Sequence, residues 1–440
     1  MPTARPDSFR STGLYPGEPV NCRRSIRGFI SIFTHLVALV LIFGVYRLEG
    51  RAFQMLAQIT AISLPIHYLL PYRYKKPFLV AISIFGLVGV FGAIAAAAVL
   101  SIAAALIAIC YLPISWRARV GMIGLAAIAL AFGRVGRIAP DLPETVWPVL
   151  GSMFMFRMIL YLYEIKHATK KEKLLDTVGY FFLLPNYAFM HFPVVDYRTL
   201  LRGYYSQDIH ATSQAGLRML FRGAMHLLAY RLIYHEVLIT PAEVVSLPTL
   251  MLFVVTNYLL YLHVSGQFHM ACGLLHMFGY SLPETHHNYL LASGFTDYWR
   301  RINIYWKDFM VRVVFNPVAF RLKRRPQWIS LSVATTAVFI TTWFLHAYQS
   351  FWIRGTWAFS WHDSLFWGIL GILVLVNVQV DARTPVRRTL GSKSEISLTR
   401  NALAIRSAKT LATFTTIALL WSLWTSASVH AWLMMLARAF

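Results

Sequence analysis

The residues best placed to do chemistry lie in one block, from about 258 to 367. It holds the run Leu262-His263-Val264-Ser265-Gly266-Gln267-Phe268-His269-Met270-Ala271-Cys272-Gly273 and then Met277-Phe278-Gly279-Tyr280-Ser281-Leu282-Pro283-Glu284. After these come Asp297-Tyr298-Trp299-Arg300-Arg301-Ile302-Asn303-Ile304, Lys307-Asp308-Phe309-Met310 and Asn316-Pro317, and a lone His346 sits in the next apolar span. An imidazole in lipid is costly and usually has a purpose. Neutral, it can take a proton from a hydroxyl. The plainer alternative is a helix-packing histidine bonded to a backbone carbonyl, and for an isolated residue that alternative is preferred. Trp299, Arg300 and Arg301 could hold phosphate, since guanidinium pairs suit it, but anchoring at lipid head groups is simpler. Lys307 and Asp308 read as a local structural pair. His286-His287 suggests a metal pair, yet adjacent residues on a helix point in different directions. With no cysteine or acidic cluster beyond Glu284, zinc is not expected and these read as loop histidines.

Such groups must be positioned by a membrane domain. Of 440 residues, 57% are hydrophobic and only 13% charged, where soluble domains carry about a quarter charged residues. Apolar stretches of spanning length recur along the chain, so lipid is the solvent. The formal charge of +23 sits mostly between apolar spans, where Lys and Arg hold loops inside and meet anionic lipid head groups. Nucleic acid is therefore not an expected partner; membrane lipids are. Cys22, Cys110 and Cys272 cannot build a disulfide framework, and Cys22 is a reduced juxtamembrane thiol or, less simply, a lipidated one.

The segment 1–27 reads as a basic cytoplasmic tail with no cleavable signal, so a first span at about 28–46 stays as an anchor. Further spans are expected at about 53–70, twice within 77–114 across a tight turn, and at about 119–133, 145–163 and 176–192. The Ala-rich middle of 77–114 suits close helix packing. The stretch 212–239, interrupted by Arg218, Arg222, Arg231 and Glu236, fits an interfacial or re-entrant helix. Two more apolar stretches follow at about 246–264 and 267–280, and clear spans at about 329–350, 362–380 and 410–436, with a basic linker at 381–409 on the cytoplasmic side. Between them, 297–326 is too rich in charge to cross a bilayer. It can lie on one, or dip in where protein shields the backbone. The expected fold is an all-α polytopic membrane protein of about eleven spans, 28–440 forming one domain without an evident internal repeat.

The ordered motifs of the block resemble the membrane-bound O-acyltransferase family, in particular the bacterial branch of alginate O-acetyltransferases and teichoic-acid D-alanyl transfer proteins. Relatives carry a Ser-Gly and Met-Ala-x-Gly segment, then Met-Phe-Gly-aromatic-x-Leu-Pro-Glu. A Trp-Arg-Arg segment follows, then a basic-acidic pair and a later histidine. Phe181 to Pro185, Phe192-Pro193 and Tyr197-Arg198 resemble the family's Phe-Pro segment more loosely, giving a core of about 176–380.

The resemblance implies His346 as the catalytic base. It implies a thioester donor, acyl-coenzyme A or an acyl carrier protein, as substrate and no bound cofactor. Asn303 stands where bacterial relatives often carry His and other branches Asn. Its amide either stabilises the thioester carbonyl and its oxyanion or ties a re-entrant loop to neighbouring backbone. Trp299, Arg300 and Arg301 would form part of the donor mouth, with Ser265 and Gly266 close to the substrates. His263 and His269 depart from the family, whose bacterial members commonly place Asp there. The implied activity is transfer of a short acyl group, such as acetyl, to a cell-surface polysaccharide or cell-wall component in the bacterial inner membrane, with an extracytoplasmic partner completing the transfer. A lipid or protein acceptor is the second reading, and a transporter or scaffold the third. His346 would lie about 27 Å along its helix, toward the far side of a ~30 Å core, which the family answers with funnels meeting in a tunnel.

Overall fold

The computed structural model describes residues 25–136, 142–166, 172–186, 195–383 and 400–440. The tail before Ser25, Cys22, Phe192-Pro193 and most of the 381–409 linker lie outside the described residues. Within them the regular structure is helical, and nine helices are long and apolar enough to cross a membrane.

The first helices follow the apolar runs. Helix α1, Ile26–Tyr46, starts where the Ser25 hydroxyl accepts from the Gly28 N–H at 3.2 Å. Helices α2 (Arg51–Leu69), α3 (Tyr72–Phe91) and α4 (Ala93–Tyr111) follow. The expected tight turn between α3 and α4 is Gly92, whose φ of 80° suits a residue without Cβ. Ala96 and Ala103 of the Ala-rich middle are fully buried. The basic residues Arg73, Lys75 and Lys76 lie at the start of α3. Lys75 is buried there and donates to the carbonyls of His67 and Tyr68, the latter at 3.0 Å. It thereby satisfies carbonyls that the end of α2 leaves unpaired.

Helices α5 (Trp116–Arg134) and α6 (Val146–Ile165) match two expected spans. The next does not form: α7, Leu174–Phe182, is nine residues long and ends at Leu183, so the span expected at 176–192 is corrected to a short helix. Arg157 of α6, buried at 1% exposure, holds this turn by donating to the Tyr180 carbonyl and, at 2.7 Å, to Asn186 Oδ1. Arg157→Met should strand those buried acceptors and destabilise the protein by about 1–3 kcal/mol; an unchanged melting temperature in detergent would refute this role.

Helix α8 is Tyr197–Gly203, and α9 is Ile209–Leu232, prolonged by a π turn at Ile233–Val237. Helices α10 (Leu247–Leu259) and α11 (Leu262–Met277) are the two expected apolar stretches joined into one bent run. The stretch 212–239, read as an interfacial or re-entrant helix, is a continuous helix packed along α11 and is not one of the nine candidate spans. Glycines two turns apart share a helix face, here Gly216 and Gly223 on α9 and Gly266 and Gly273 on α11. A Cβ on Gly216 would meet the Gly273 carbonyl oxygen at 2.9 Å, and one on Gly223 the Gly266 carbonyl oxygen at 2.9 Å. The charges leave the seam: Arg222 reaches Glu284 at 3.6 Å, and Arg231 donates to the carbonyls of Tyr46 and Arg47.

Helix α12 is Phe295–Arg301, α13 Ile304–Met310 and α14 Asn316–Arg321. A π turn at Val311–Phe315 joins α13 to α14 without a break. It lies just before Pro317, which lacks the N–H a regular helix would use. This rod lies antiparallel to α15, Gln327–Arg354. Trp306 Nε1 donates to Thr342 Oγ1 at 3.3 Å near one end, and Ser330 Oγ to the Ala319 carbonyl at 3.4 Å near the other. Within 297–326 the first half is shielded by protein: Tyr305, Phe309 and Met310 of α13 are buried. Phe309 and Trp306 pack on Phe156 of α6 at ring distances of 5.8 and 5.0 Å. Helix α16 is Trp361–Arg383 and α17 is Arg400–Thr425. The last expected span breaks at Ser428, whose hydroxyl caps α18, Val429–Ala439.

Candidate functional site

His346 lies on α15 about two turns short of Arg354, half-buried among indole rings. Their centroids stand 4.7 Å away for Trp367 of α16, 5.5 Å for Trp306 of α13 and 6.1 Å for Trp424 of α17. Two of the indoles are pinned. Trp306 Nε1 is held by Thr342, one turn before His346, and Trp424 Nε1 donates to Asp363 Oδ1 at 2.6 Å.

The antiparallel register sets Asn303 level with His346. Asn303 starts α13 with φ 41° and ψ 62°, a left-handed conformation that Asn adopts more readily than most residues. Its Oδ1 accepts from the Trp306 N–H at 3.3 Å. The structural use of Asn303 is therefore real for its oxygen, and the Nδ2 amide is the group left to act as a donor. Thr285 O accepts from the Ile304 N–H at 2.8 Å and holds the start of α13. Asn303→Gly keeps the backbone accessible and should cost only a few tenths of a kcal/mol. Asn303→Ala should cost about 1–2 kcal/mol more, from the left-handed backbone. The melting order of the two variants tests the cap. If Nδ2 stabilises developing charge, both should lose about 100- to 1000-fold in rate.

The other expected residues separate. Trp299 packs on Phe339 of α15 at a ring distance of 4.8 Å. Arg301 pairs with Asp297 at 2.7 Å, while Arg300 is exposed. Burial pushes the Asp297 carboxyl up, but the Arg301 hydrogen bond and the Ser293 N–H outweigh it and hold the group below the usual carboxylate range. The three do not converge as a phosphate clamp. Ser265 is fully buried, its hydroxyl 3.1 Å from His226 Nδ1, and Gly266 packs against Leu227 in the seam. Lys307 and Asp308 form the expected local pair at 2.7 Å. His263 lies 2.9 Å from Glu49 and stacks on Tyr230.

His286 and His287 lie in a loop, as expected, but His286 is 2% exposed and its Nε2 lies 2.9 Å from the Tyr261 hydroxyl. His287 points the other way, exposed beside Glu284 at 3.2 Å. Behind His286 stand His269, at a ring distance of 5.9 Å, and His226, 5.3 Å beyond it. Sequence reasoning passed over His226. The signal that could have found it is the seven-residue glycine spacing, which pairs α9 with α11 and brings His226 to His269. Among the described residues no group of three or more His, Cys, Asp or Glu side chains is arranged to hold a metal ion.

An apolar cavity of about 340 Å³ lies between α4, α5, α6 and α15, with Phe344, Leu345 and Tyr348 of α15 in its wall. A polar one of about 240 Å³ is lined by Asp196, Thr199, Asp308 and Arg312, with Arg312 bridging Glu164 and Asp196 at 2.6 and 3.2 Å.

Fold and site together define a polytopic α-helical membrane protein with a half-buried histidine among three indoles. No family model matches the chain, and no curated protein matches it.

Proposed function

We propose that this protein is a membrane-bound O-acyltransferase, moving a short acyl group such as acetyl from a cytoplasmic thioester to a hydroxyl acceptor. The observation that carries the reading is the placement of His346 among three indoles, one of them Trp306, a turn beyond the half-buried Asn303 that starts α13. Indole walls exclude bulk water, which would otherwise compete with the acceptor for the acyl group. The neutral His346 ring takes the acceptor proton as the hydroxyl oxygen forms a bond to the thioester carbonyl carbon. The Asn303 amide donates to the resulting oxyanion. Collapse breaks the carbon–sulfur bond, and the thiolate recovers the proton from the imidazolium, so no net proton is taken up.

The N-terminus and the basic turn Arg321 to Arg325 face the cytoplasm in this reading, where a coenzyme A or carrier-protein thioester is available. The acceptor is a cell-surface polysaccharide or cell-wall component, reached from the other side with the help of an extracytoplasmic partner. The apolar cavity beside His346's helix favours one second reading, a lipid acceptor.

The test compares base-labile acyl ester in the surface-glycan and lipid fractions of the native host. Wild type is set against a His346→Ala strain making equal protein. Loss from the glycan fraction is expected. Loss from the lipid fraction alone would transfer support to the second reading, and no change in either would overturn acyl transfer through His346.

A further inference from the structure

The buried histidines of the α9–α11 seam touch the segment that holds the His346 site together. Thr285 O accepts from the Ile304 N–H at 2.8 Å, and the His287 N–H donates to Arg301 O at 3.0 Å. Residues 285–287 therefore clamp both sides of Asn303. Between these two anchors sits His286, turned inward. Its Nε2 meets the Tyr261 hydroxyl at 2.9 Å, and its Nδ1 lies 3.2 Å from Thr285 Oγ1. We propose that His286 is an acid-sensitive positioning residue for the His346 site. Neutral, it pins the Thr285–His287 segment under the start of α13; protonated, it releases that segment and Asn303 moves with it. This inference rests on the acyl-transfer reading for its consequence, not for its mechanics.

The surroundings give an imidazolium at His286 no counter-charge. From α9 it faces His226, with Arg222 a turn earlier turned out to Glu284; from α11 it faces His269. Tyr261, Tyr289, Tyr258 and Tyr298 supply neutral phenols. Glu284, the carboxylate of this segment, lies on the exposed side, taken by Arg222 and His287. Arg301 is taken by Asp297. A charge placed at His286 would thus be buried without a partner, an arrangement costing several kcal/mol. The cluster also has slack: His269 Nδ1 is buried with no hydrogen-bond partner.

Burial, and next the neighbouring His269 and His226, keep the His286 ring well below its ordinary pKa. A histidine whose pKa is depressed on burial stabilises the closed state fully above its free value, about 6.5. As pH falls below that value the open state binds the proton first, so opening becomes easier by up to about tenfold per pH unit.

Hydrogen exchange of the full chain in lipid nanodiscs, corrected for intrinsic rates, reads this directly at the Ile304 amide. In wild type, protection is expected to fall about tenfold between pH 6.5 and about 5.2. In His286→Gln, which keeps a hydrogen-bonding group toward Tyr261 but cannot titrate, the fall should shrink to threefold or less. Wild-type protection that ignores pH, or a His286→Gln variant that tracks wild type, would overturn the proposal. If that variant does not fold, Tyr261→Phe serves. Having lost the partner of Nε2, it should show weakened Ile304 protection already at pH 7.5, and wild-type protection there would equally overturn it. Transferase activity read in parallel should decline with acid less steeply in His286→Gln. If wild type shows no transfer at all while the exchange results hold, acyl transfer falls and the positioning device stands.

Discussion

His346→Ala is expected to cut acyl transfer by about 100- to 10,000-fold, the range a positioned general base contributes, with little change in melting temperature. The direction follows from the geometry. The ring is half-buried and hemmed by indoles that have other anchors: Thr342 holds Trp306 and Asp363 holds Trp424. Removing the imidazole leaves those anchors in place, so the cage should persist around a small void. Steady-state rates in nanodiscs at saturating thioester, with thermal melts of the same preparation, separate chemistry from folding. A variant that keeps more than half of wild-type turnover would exclude His346 as the base. A variant that loses turnover only in step with its stability would make His346 a packing residue.

Gly223→Val should have the largest effect on stability, enough to abolish a monodisperse folded species in detergent. A Cβ there would stand 2.7 Å from Met270 Cγ and 2.9 Å from the Gly266 carbonyl oxygen. The methionine can move, but the backbone cannot without sliding α9 off α11. Overpacking a well-packed core costs about 1–3 kcal/mol, and two further methyl groups on a β-branched side chain add to it. Close approach of backbones at small residues is what holds helices together in lipid, where apolar area gives no driving force between them. The control is Gly121→Ala on α5, where a Cβ would meet nothing within 4 Å; that change should be neutral or gain about 0.5–1 kcal/mol through helix propensity. Size-exclusion profiles and melts of both variants decide the matter. A Gly223→Val protein melting with wild type would show that the seam is not tightly constrained.

The amino-acid sequence determined the solvent and much of the helix inventory. Runs such as 28–46, 119–133, 145–163, 329–350 and 362–380 are long and apolar, and a chain in lipid must satisfy its backbone within each segment. A tight turn within 77–114 was legible from the length of that run, and the structure places it at Gly92. His346 stood out as a histidine in an apolar span, and Asn303 only through the family resemblance.

Lateral pairing was not legible. In lipid the outer and inner faces of a helix are equally apolar, so hydrophobic periodicity does not say which face meets which neighbour. Only the tertiary structure places α9 against α11, turning Gly216 and Gly223 into contacts and carrying His226 to His269 and His286. It alone folds 304–321 back along α15, which is why Asn303 comes level with His346 although about forty residues separate them in the chain. It also shows 176–192 to begin as a nine-residue helix. Its end is tied by Arg157, a charge on another helix whose hydrogen bonds with Tyr180 and Asn186 exist only once the two are packed.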